Sequence, residues 1–125
     1  MGCMAYLTHI NKNICDDSKI RVNDIIYFKE IDIAIKNAMN SKDYKTTIER
    51  AIYAAALIKL YQPFFDGNNR TALVVLKDIL NKKGIYFDYE HAAKDMEDHS
   101  LTIPTIYSPN DKIINSFCLK KYIKQ

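Results

Sequence analysis

Apolar residues recur along most of the chain at the three- and four-residue spacing of an α-helix. The clearest run is residues 48–61, in which nearly every face of the predicted helix is apolar and several alanines allow neighbouring helices to approach closely. Such a helix has no face suited to water. We therefore predict that it lies at the centre of the molecule and is surrounded by other helices.

A second strong helix is predicted over residues 70–83, with Gly84 following as its C-cap. Its apolar stripe is formed by Leu73, Leu76 and Leu80 and is widened by Ala72, Val75 and Ile79. Only a short stretch that ends in turn-forming residues separates the two helices, so they are expected to form an αα-hairpin.

Three weaker patterns predict further helices around this pair. They are a short helix with Ile31, Ile35 and Met39 on one face that ends near Asn40, a helix capped by Asp88 that runs through Ala92 and Met96, and a last helix that starts at Ser108 and Pro109 and carries Ile113, Ile114, Phe117 and Tyr122.

Local chemistry adds three more expectations. Residues 46–49 have the S/T-x-x-E spacing of a capping box at a helix start. Residues 19–28 place β-branched and aromatic residues on either side of Asn23-Asp24, which predicts a small two-stranded flap. Residues 4–14 are compatible with a helix or an edge strand. The fold class is therefore predicted as an all-α helical bundle with at most one small β-hairpin, in a single domain over residues 1–125.

Composition narrows the class of protein. A chain of 125 residues with 48% hydrophobic content suits one globular domain, and the net charge of +3 comes from scattered lysines, so a nucleic-acid partner is only weakly suggested. Cys3, Cys15 and Cys118 are far apart, which favours a reducing compartment. The longest apolar run, residues 51–60, is about half the length needed to cross a bilayer. We expect a soluble, cytoplasmic protein with no membrane partner.

The stretch QPFFDGNNR, residues 62–70, stands between the two strongest helices and carries the candidate chemistry. A helix starting near Asn68 leaves its first N–H groups unpaired at the positive end of its dipole, which is a ready site for phosphate. Gly67 can take a positive φ that turns successive amides toward one anion. Arg70 opposes the dipole, so its presence there favours an anionic ligand. Asp66 is placed to hold Mg²⁺ beside that ligand.

An ordinary turn explains the same residue types. Asp, Gly and Asn are the commonest turn residues, Asn68 is a normal N-cap, and Asp66 with Arg70 would make a surface ion pair. Spacing alone leaves the turn and the phosphate site about even.

The same residues carry a resemblance to a known family. QPFFDGNNR followed by TALVVL resembles the active-site loop of the Fic/Doc superfamily, whose motif HxFx(D/E)(G/A)N(G/K)R joins two central helices. The resemblance covers residues 48–84. Chain length and the Arg-Thr-Ala-Leu continuation are more similar to the short death-on-curing (Doc) toxins than to the longer Fic adenylyltransferases.

This resemblance implies a function and a set of roles. Phe64 would anchor the loop in the core, and Asp66 would bind Mg²⁺. The residues that would hold the phosphates of ATP or another nucleoside triphosphate are Gly67, Asn68, Asn69 and Arg70. Members of the family transfer AMP or a phosphoryl group to a protein hydroxyl. By the same resemblance, residues 19–28 would be the flap that pairs with the target polypeptide. A small antitoxin would be a further partner.

Two positions depart from the family motif. Gln62 stands where the family has the His that acts as general base, and glutamine cannot accept a proton near neutral pH. Asn69 stands where adenylyltransferases have Gly and Doc has Lys, so it decides neither chemistry. The histidines of the chain, His9, His91 and His99, lie outside the loop. Two hypotheses follow: a toxin-type transferase impaired at Gln62, and an inactive pseudoenzyme that binds nucleotide or a protein partner.

Overall fold

The structure, a computed structural model, describes residues 3–15, 25–103 and 121–124. These residues form five α-helices and one pair of short antiparallel strands. In chain order the elements are α1 (Cys3–Ile14), α2 (Ile25–Met39), α3 (Tyr44–Tyr61), α4 (Asn68–Lys82), β1 (Tyr86–Phe87), α5 (Tyr89–Glu97) and β2 (Ile123–Lys124). The predicted all-α class with one small antiparallel pair is confirmed.

Helix α3 is the central element, as its sequence predicts. It packs against α2 on one side and α4 on the other, and its four alanines are fully buried at these contacts. Because small side chains let helix axes approach closely, α3 can be enclosed by two neighbours along most of its length. The helices predicted over residues 48–61 and 70–83 are therefore confirmed as α3 and α4, and they form the predicted αα-hairpin.

Helix α1 resolves the ambiguity of residues 4–14 in favour of a helix. Leu7 and Ile10 are buried, and the helix packs mainly against α4. In α2 the predicted face is also present, with Ile31 fully buried and both Ile35 and Met39 packed at the edge of the core.

The predicted flap over residues 19–28 is wrong for the part that the structure describes. Residues 25–28 form the first turn of α2, and Phe28 is buried edge-on against Phe64, with ring centroids 6.4 Å apart. Packing of this aromatic ring into the helical core outweighs the strand preference of its neighbours, since strand propensity depends strongly on context. Residues 19–24 lie outside the described residues. The antiparallel pair instead joins β1 to β2.

The predicted capping box at residues 46–49 is also wrong. Helix α3 begins at Tyr44, and Asp43 is its N-cap, with the Asp43 side chain accepting a hydrogen bond from the Thr46 N–H at 2.8 Å. Aspartate caps as well as threonine does, so the helix starts at the earlier residue. The Asp88 cap of α5 is confirmed, because its carboxylate accepts from the His91 N–H at 3.2 Å.

The end of the described chain returns to the body of the molecule. Tyr122 is buried in a single 3₁₀ turn, and the following strand β2 pairs with β1 so that Tyr86 lies opposite Lys124. The predicted last helix starts at Ser108, and residues 104–120 lie outside the described residues, so Tyr122 is the one residue named for that helix that the structure describes. No helix of the described ranges is both long and apolar enough to pass through a membrane.

Candidate functional site

The loop that joins α3 to α4, residues 62–67, is held between a strained residue and a buried ring. Gln62 closes α3 in the left-handed conformation, at φ 45° and ψ 62°, and its N–H donates to the Ile58 carbonyl at 2.9 Å. Its side chain is exposed. Phe64 is fully buried. The loop is thus anchored in the core by Phe64, as the sequence predicts, with Gln62 facing solvent.

Asn68 closes the loop by bonding to the backbone of Phe64 in both directions. Its Oδ1 accepts from the Phe64 N–H at 3.0 Å, and its Nδ2 donates to the Phe64 carbonyl at 2.8 Å. Both polar atoms of this side chain are therefore engaged within the protein. Asn68 thus fixes the shape of the loop, and its side chain has no polar atom left over for another partner.

Gly67 has the positive φ that the sequence predicts, 77°, and is the N-cap of α4. A Cβ atom at this position would lie 2.6 Å from the Cys15 Sγ and 3.0 Å from the Asn11 Nδ2. Glycine is required here both for the left-handed backbone and for the close approach of the end of α1. The loop is therefore packed against α1 at its glycine.

Asn11 is a site residue that the sequence interpretation missed. It is only 1% exposed, and its Nδ2 donates to the Asp66 carbonyl at 2.8 Å and to the Thr71 Oγ1 at 3.3 Å. It thus ties α1 to both the loop and the first turn of α4. The available signal was its position four residues after Leu7, which places a polar side chain on the apolar face of α1.

The first turn of α4 presents unpaired N–H groups. The first N–H of the helix with a backbone partner is that of Thr71, which donates to the Gly67 carbonyl at 2.9 Å. Within the described residues, the N–H groups of Asn68, Asn69 and Arg70 have no hydrogen-bond partner. Together with the helix dipole, they make this end of α4 electropositive.

These N–H groups lie at a cavity of about 360 Å³ that we call the loop cavity. Its lining residues are Gln62, Phe65, Asp66, Gly67, Asn68, Asn69, Arg70, Met96 and Glu97. All six residues that the sequence singles out as catalytic, phosphate-binding or metal-binding are among them. These six residues lie within nine positions of the sequence, so they are expected to be near one another. Met96 and Glu97, from α5, come from a separate part of the sequence.

Glu97 places a carboxylate beside the arginine of the site. The Arg70 guanidinium forms an ion pair with the Glu97 carboxylate, and the two side chains are 36% and 63% exposed. An ion pair exposed to this degree contributes little to stability, typically below about 1 kcal/mol. Glu97 is therefore only a weak competitor for any anion that approaches Arg70, although the guanidinium is paired in this structure.

Asp66 is exposed and keeps one carboxylate oxygen available. Its Oδ1 accepts from the Gly67 N–H at 2.8 Å, and its Oδ2 has no hydrogen-bond partner in the part of the chain that the structure describes. No cluster of three or more His, Cys, Asp or Glu side chains suited to a metal occurs among the described residues. The donor set fits Mg²⁺ only in the manner in which that ion takes one or two carboxylates and completes its shell with substrate phosphates and water.

The structure places the three histidines away from the loop cavity. His9, His91 and His99 are all exposed, and none of them lines the cavity. His91 lies between two carboxylates of α5 and its cap, 3.5 Å from Asp88 and 3.3 Å from Asp95. The position of Gln62 is thus not supplied with an imidazole from elsewhere in the described chain.

Comparison with known proteins leaves the site to be interpreted on its own chemistry. No protein-family model matches the chain, and no curated protein or solved structure matches it either.

Proposed function

We propose that this protein is a Fic/Doc-like domain that binds a nucleoside triphosphate with Mg²⁺ in the loop cavity. The observation that carries the proposal is the convergence, on one cavity, of the unpaired N–H groups of α4, the guanidinium of Arg70 and the carboxylate of Asp66. N–H and guanidinium donors suit phosphate oxygens, and the single carboxylate beside them would hold a magnesium ion, which would supply charge neutralisation.

In this proposal each group has a defined role toward the ligand. The N–H groups of Asn69 and Arg70 donate to phosphate oxygens, and Arg70 exchanges its ion pair with Glu97 for a charge-assisted contact to phosphate. Asp66 would hold the magnesium ion, which would neutralise part of the phosphate charge. Asn68 and Gly67 keep the loop in the shape that aims these donors.

The first hypothesis for the reaction is transfer of AMP or a phosphoryl group to a protein hydroxyl. In adenylyl transfer the bond between the α and β phosphates breaks and pyrophosphate leaves; in phosphoryl transfer the bond to the γ phosphate breaks and the nucleoside diphosphate leaves. Gln62 can orient the attacking hydroxyl but cannot take its proton, which would pass to solvent water as the bond from the hydroxyl oxygen to phosphorus forms. The absence of a positioned base typically costs about 10²- to 10⁴-fold in rate. A toxin of this kind, with a small antitoxin as partner, would therefore act slowly.

A second hypothesis is a pseudoenzyme that binds nucleotide without transfer. Two observations favour it: the loop cavity has no histidine among its lining residues, and its arginine is engaged by Glu97. Binding alone requires neither a base nor a poised leaving group.

Binding is tested first, by titrating the protein with ATP and Mg²⁺ in a calorimeter. We expect Arg70→Ala to weaken binding, because a charged contact to phosphate is lost. We expect Glu97→Gln to strengthen it by up to about fivefold, because a competing ion pair worth no more than about 1 kcal/mol is removed. The matched control is Glu90→Gln, an exposed carboxylate of α5 outside the loop cavity. If wild type binds no nucleotide at all, the proposed function is wrong.

Transfer is tested with ATP labelled on the α or the γ phosphate, incubated with cell lysate. Label from the α position in a protein band indicates adenylyl transfer, and label from the γ position indicates phosphoryl transfer. Gln62→His restores a titratable group and is expected to raise any transfer rate by about 10²-fold or more. Label from wild type supports the transferase hypothesis, whereas label from neither protein, with binding intact, supports the pseudoenzyme.

A further inference from the structure

Phe65 is an exposed aromatic ring in the wall of the loop cavity. Its side chain is 68% exposed, more than any other large hydrophobic side chain in the described residues, while Pro63 and Phe64 immediately before it are buried. The loop therefore turns one ring into the core and the next ring toward solvent. Exposing a phenylalanine gains nothing for the fold, since that apolar area remains in water.

The surroundings of Phe65 combine unpaired N–H groups and a guanidinium with an apolar surface. The unpaired N–H groups of Asn69 and Arg70 and the exposed ring of Phe65 border the same cavity of about 360 Å³. Met96, from α5, adds a partly buried thioether to the lining. A ligand that uses the whole cavity thus needs an anionic part and a flat apolar part, as a nucleotide has.

We propose that Phe65 is the surface on which the base of the bound nucleotide stacks, an inference that rests on the proposed function. The ligand class is then a nucleoside phosphate, distinguished from inorganic polyphosphate by its base. Stacking on an aromatic face depends little on which base is bound, because every base has a π-face. The ring thus selects for the presence of a base and discriminates little between adenine and guanine.

The test compares three ligands, each with Mg²⁺: ATP, GTP and inorganic tripolyphosphate. Wild type is expected to bind both nucleotides more tightly than tripolyphosphate, by about fivefold or more, which is the range for one base stacked on one aromatic ring. Phe65→Ala should remove that preference and leave the tripolyphosphate affinity unchanged. The control is Tyr86→Ala, since Tyr86 is an aromatic residue 56% exposed that does not line the loop cavity.

A fluorescent variant gives an independent readout. The chain has no tryptophan, so Phe65→Trp introduces a single reporter that keeps an aromatic face at the site. Nucleotides are expected to quench its fluorescence, whereas tripolyphosphate, which has no base to stack, should leave the emission largely unchanged.

The outcomes separate this inference from the proposed function. If wild type binds tripolyphosphate as tightly as ATP, or if Phe65→Ala keeps the full affinity for ATP, the stacking role of Phe65 is wrong while the phosphate site stands. Binding of neither ligand overturns both. A variant that binds ATP normally but fails to modify a protein target would assign Phe65 to target contact instead, and it would also contradict the inference.

Discussion

At the scale of single residues, the loop depends on a glycine, Gly67, whose neighbours leave no room for a side chain. Gly67 combines a left-handed backbone with contact to the end of α1, and Gly84 has nearly the same φ, 74°, but nothing within 4 Å of its missing Cβ. The two glycines therefore separate the cost of the backbone conformation from the cost of packing.

We expect Gly67→Ala to destabilise the fold by clearly more than Gly84→Ala. The left-handed conformation costs a non-glycine residue about 1–2 kcal/mol, and both variants bear that cost. Only at Gly67 does the new methyl group also meet the Cys15 sulfur and the Asn11 amide, at 2.6 and 3.0 Å. Urea unfolding at equilibrium measures the difference. Equal losses of unfolding free energy for the two variants would mean that the end of α1 does not pack closely against Gly67.

At the scale of elements, α1 supports the site although none of its residues lines the loop cavity. The link is Asn11, which is buried and bonds both to the loop and to α4. Its own Oδ1 is buried with no partner among the described residues, so the side chain is held at some cost by its two donor contacts.

Asn11→Ala tests this support, with Asn13→Ala as the matched control on the same helix. Asn13 is exposed, so its loss should change the free energy of unfolding by less than about 0.5 kcal/mol. Loss of Asn11 leaves the Asp66 carbonyl without its donor and is expected to cost about 1–3 kcal/mol. If the proposed function holds, nucleotide affinity should fall as well, because the loop that carries the proposed phosphate donors is no longer fixed. Normal stability and affinity in Asn11→Ala would show that α1 is dispensable for the site.

Elements with long, regular patterns could be predicted from the sequence, and short or distant ones could not. Helices α3 and α4 were predicted because their apolar residues recur over four turns or so, and the loop between them was predicted because its residue types have few other uses. The segment of residues 25–28 has strand-forming composition, yet it is helical because Phe28 packs on Phe64. Composition does not contain that tertiary contact.

The candidate site likewise contains residues that the sequence predicts and residues that it does not. Its residues from 62 to 70 are contiguous, so one motif contains them all. Glu97 belongs to α5, and its contact with Arg70 depends on how α5 packs against α4. The spacing of residues in the sequence does not predict that packing. Asn68 and Asp66 show a further limit, because residue type alone does not reveal that their side chains bond to the loop itself.

At the scale of the whole molecule, Tyr122 joins the last described segment to α5, beside the pairing of β1 with β2. The Tyr122 hydroxyl donates to the Asp95 Oδ2 at 2.6 Å, joining the segment before β2 to α5. The ring also packs edge-on against Phe87 and His91, at centroid distances of 6.3 and 5.3 Å. Since α5 carries Met96 and Glu97 to the loop cavity, this attachment also bears on how the site is held.

The contact between Tyr122 and Asp95 makes the stability of the fold depend on pH. The hydrogen bond from Tyr122 is the main cause that lowers the pKa of Asp95 below its ordinary value of 3.8, and His91 and Lys121 lower it further. A carboxyl group whose pKa is lowered in the folded state stabilises the fold above its unfolded pKa, and that contribution is lost as pH falls through the folded pKa. Protonation of Asp95 should therefore weaken the attachment of the chain end to α5.

A double-mutant cycle of Asp95→Asn and Tyr122→Phe, measured by urea unfolding at neutral pH and again near pH 2, isolates this effect. We expect the two changes to be coupled at neutral pH and the coupling to decline as the pH falls through the folded pKa of Asp95, since the charged acceptor is lost there. Asp98→Asn, an exposed carboxylate three residues further on, controls for general acid effects. Coupling that persists unchanged in acid would mean that the hydrogen bond from Tyr122 does not depend on the carboxylate charge of Asp95, because the ring remains in Tyr122→Phe and its packing against Phe87 cancels in the cycle.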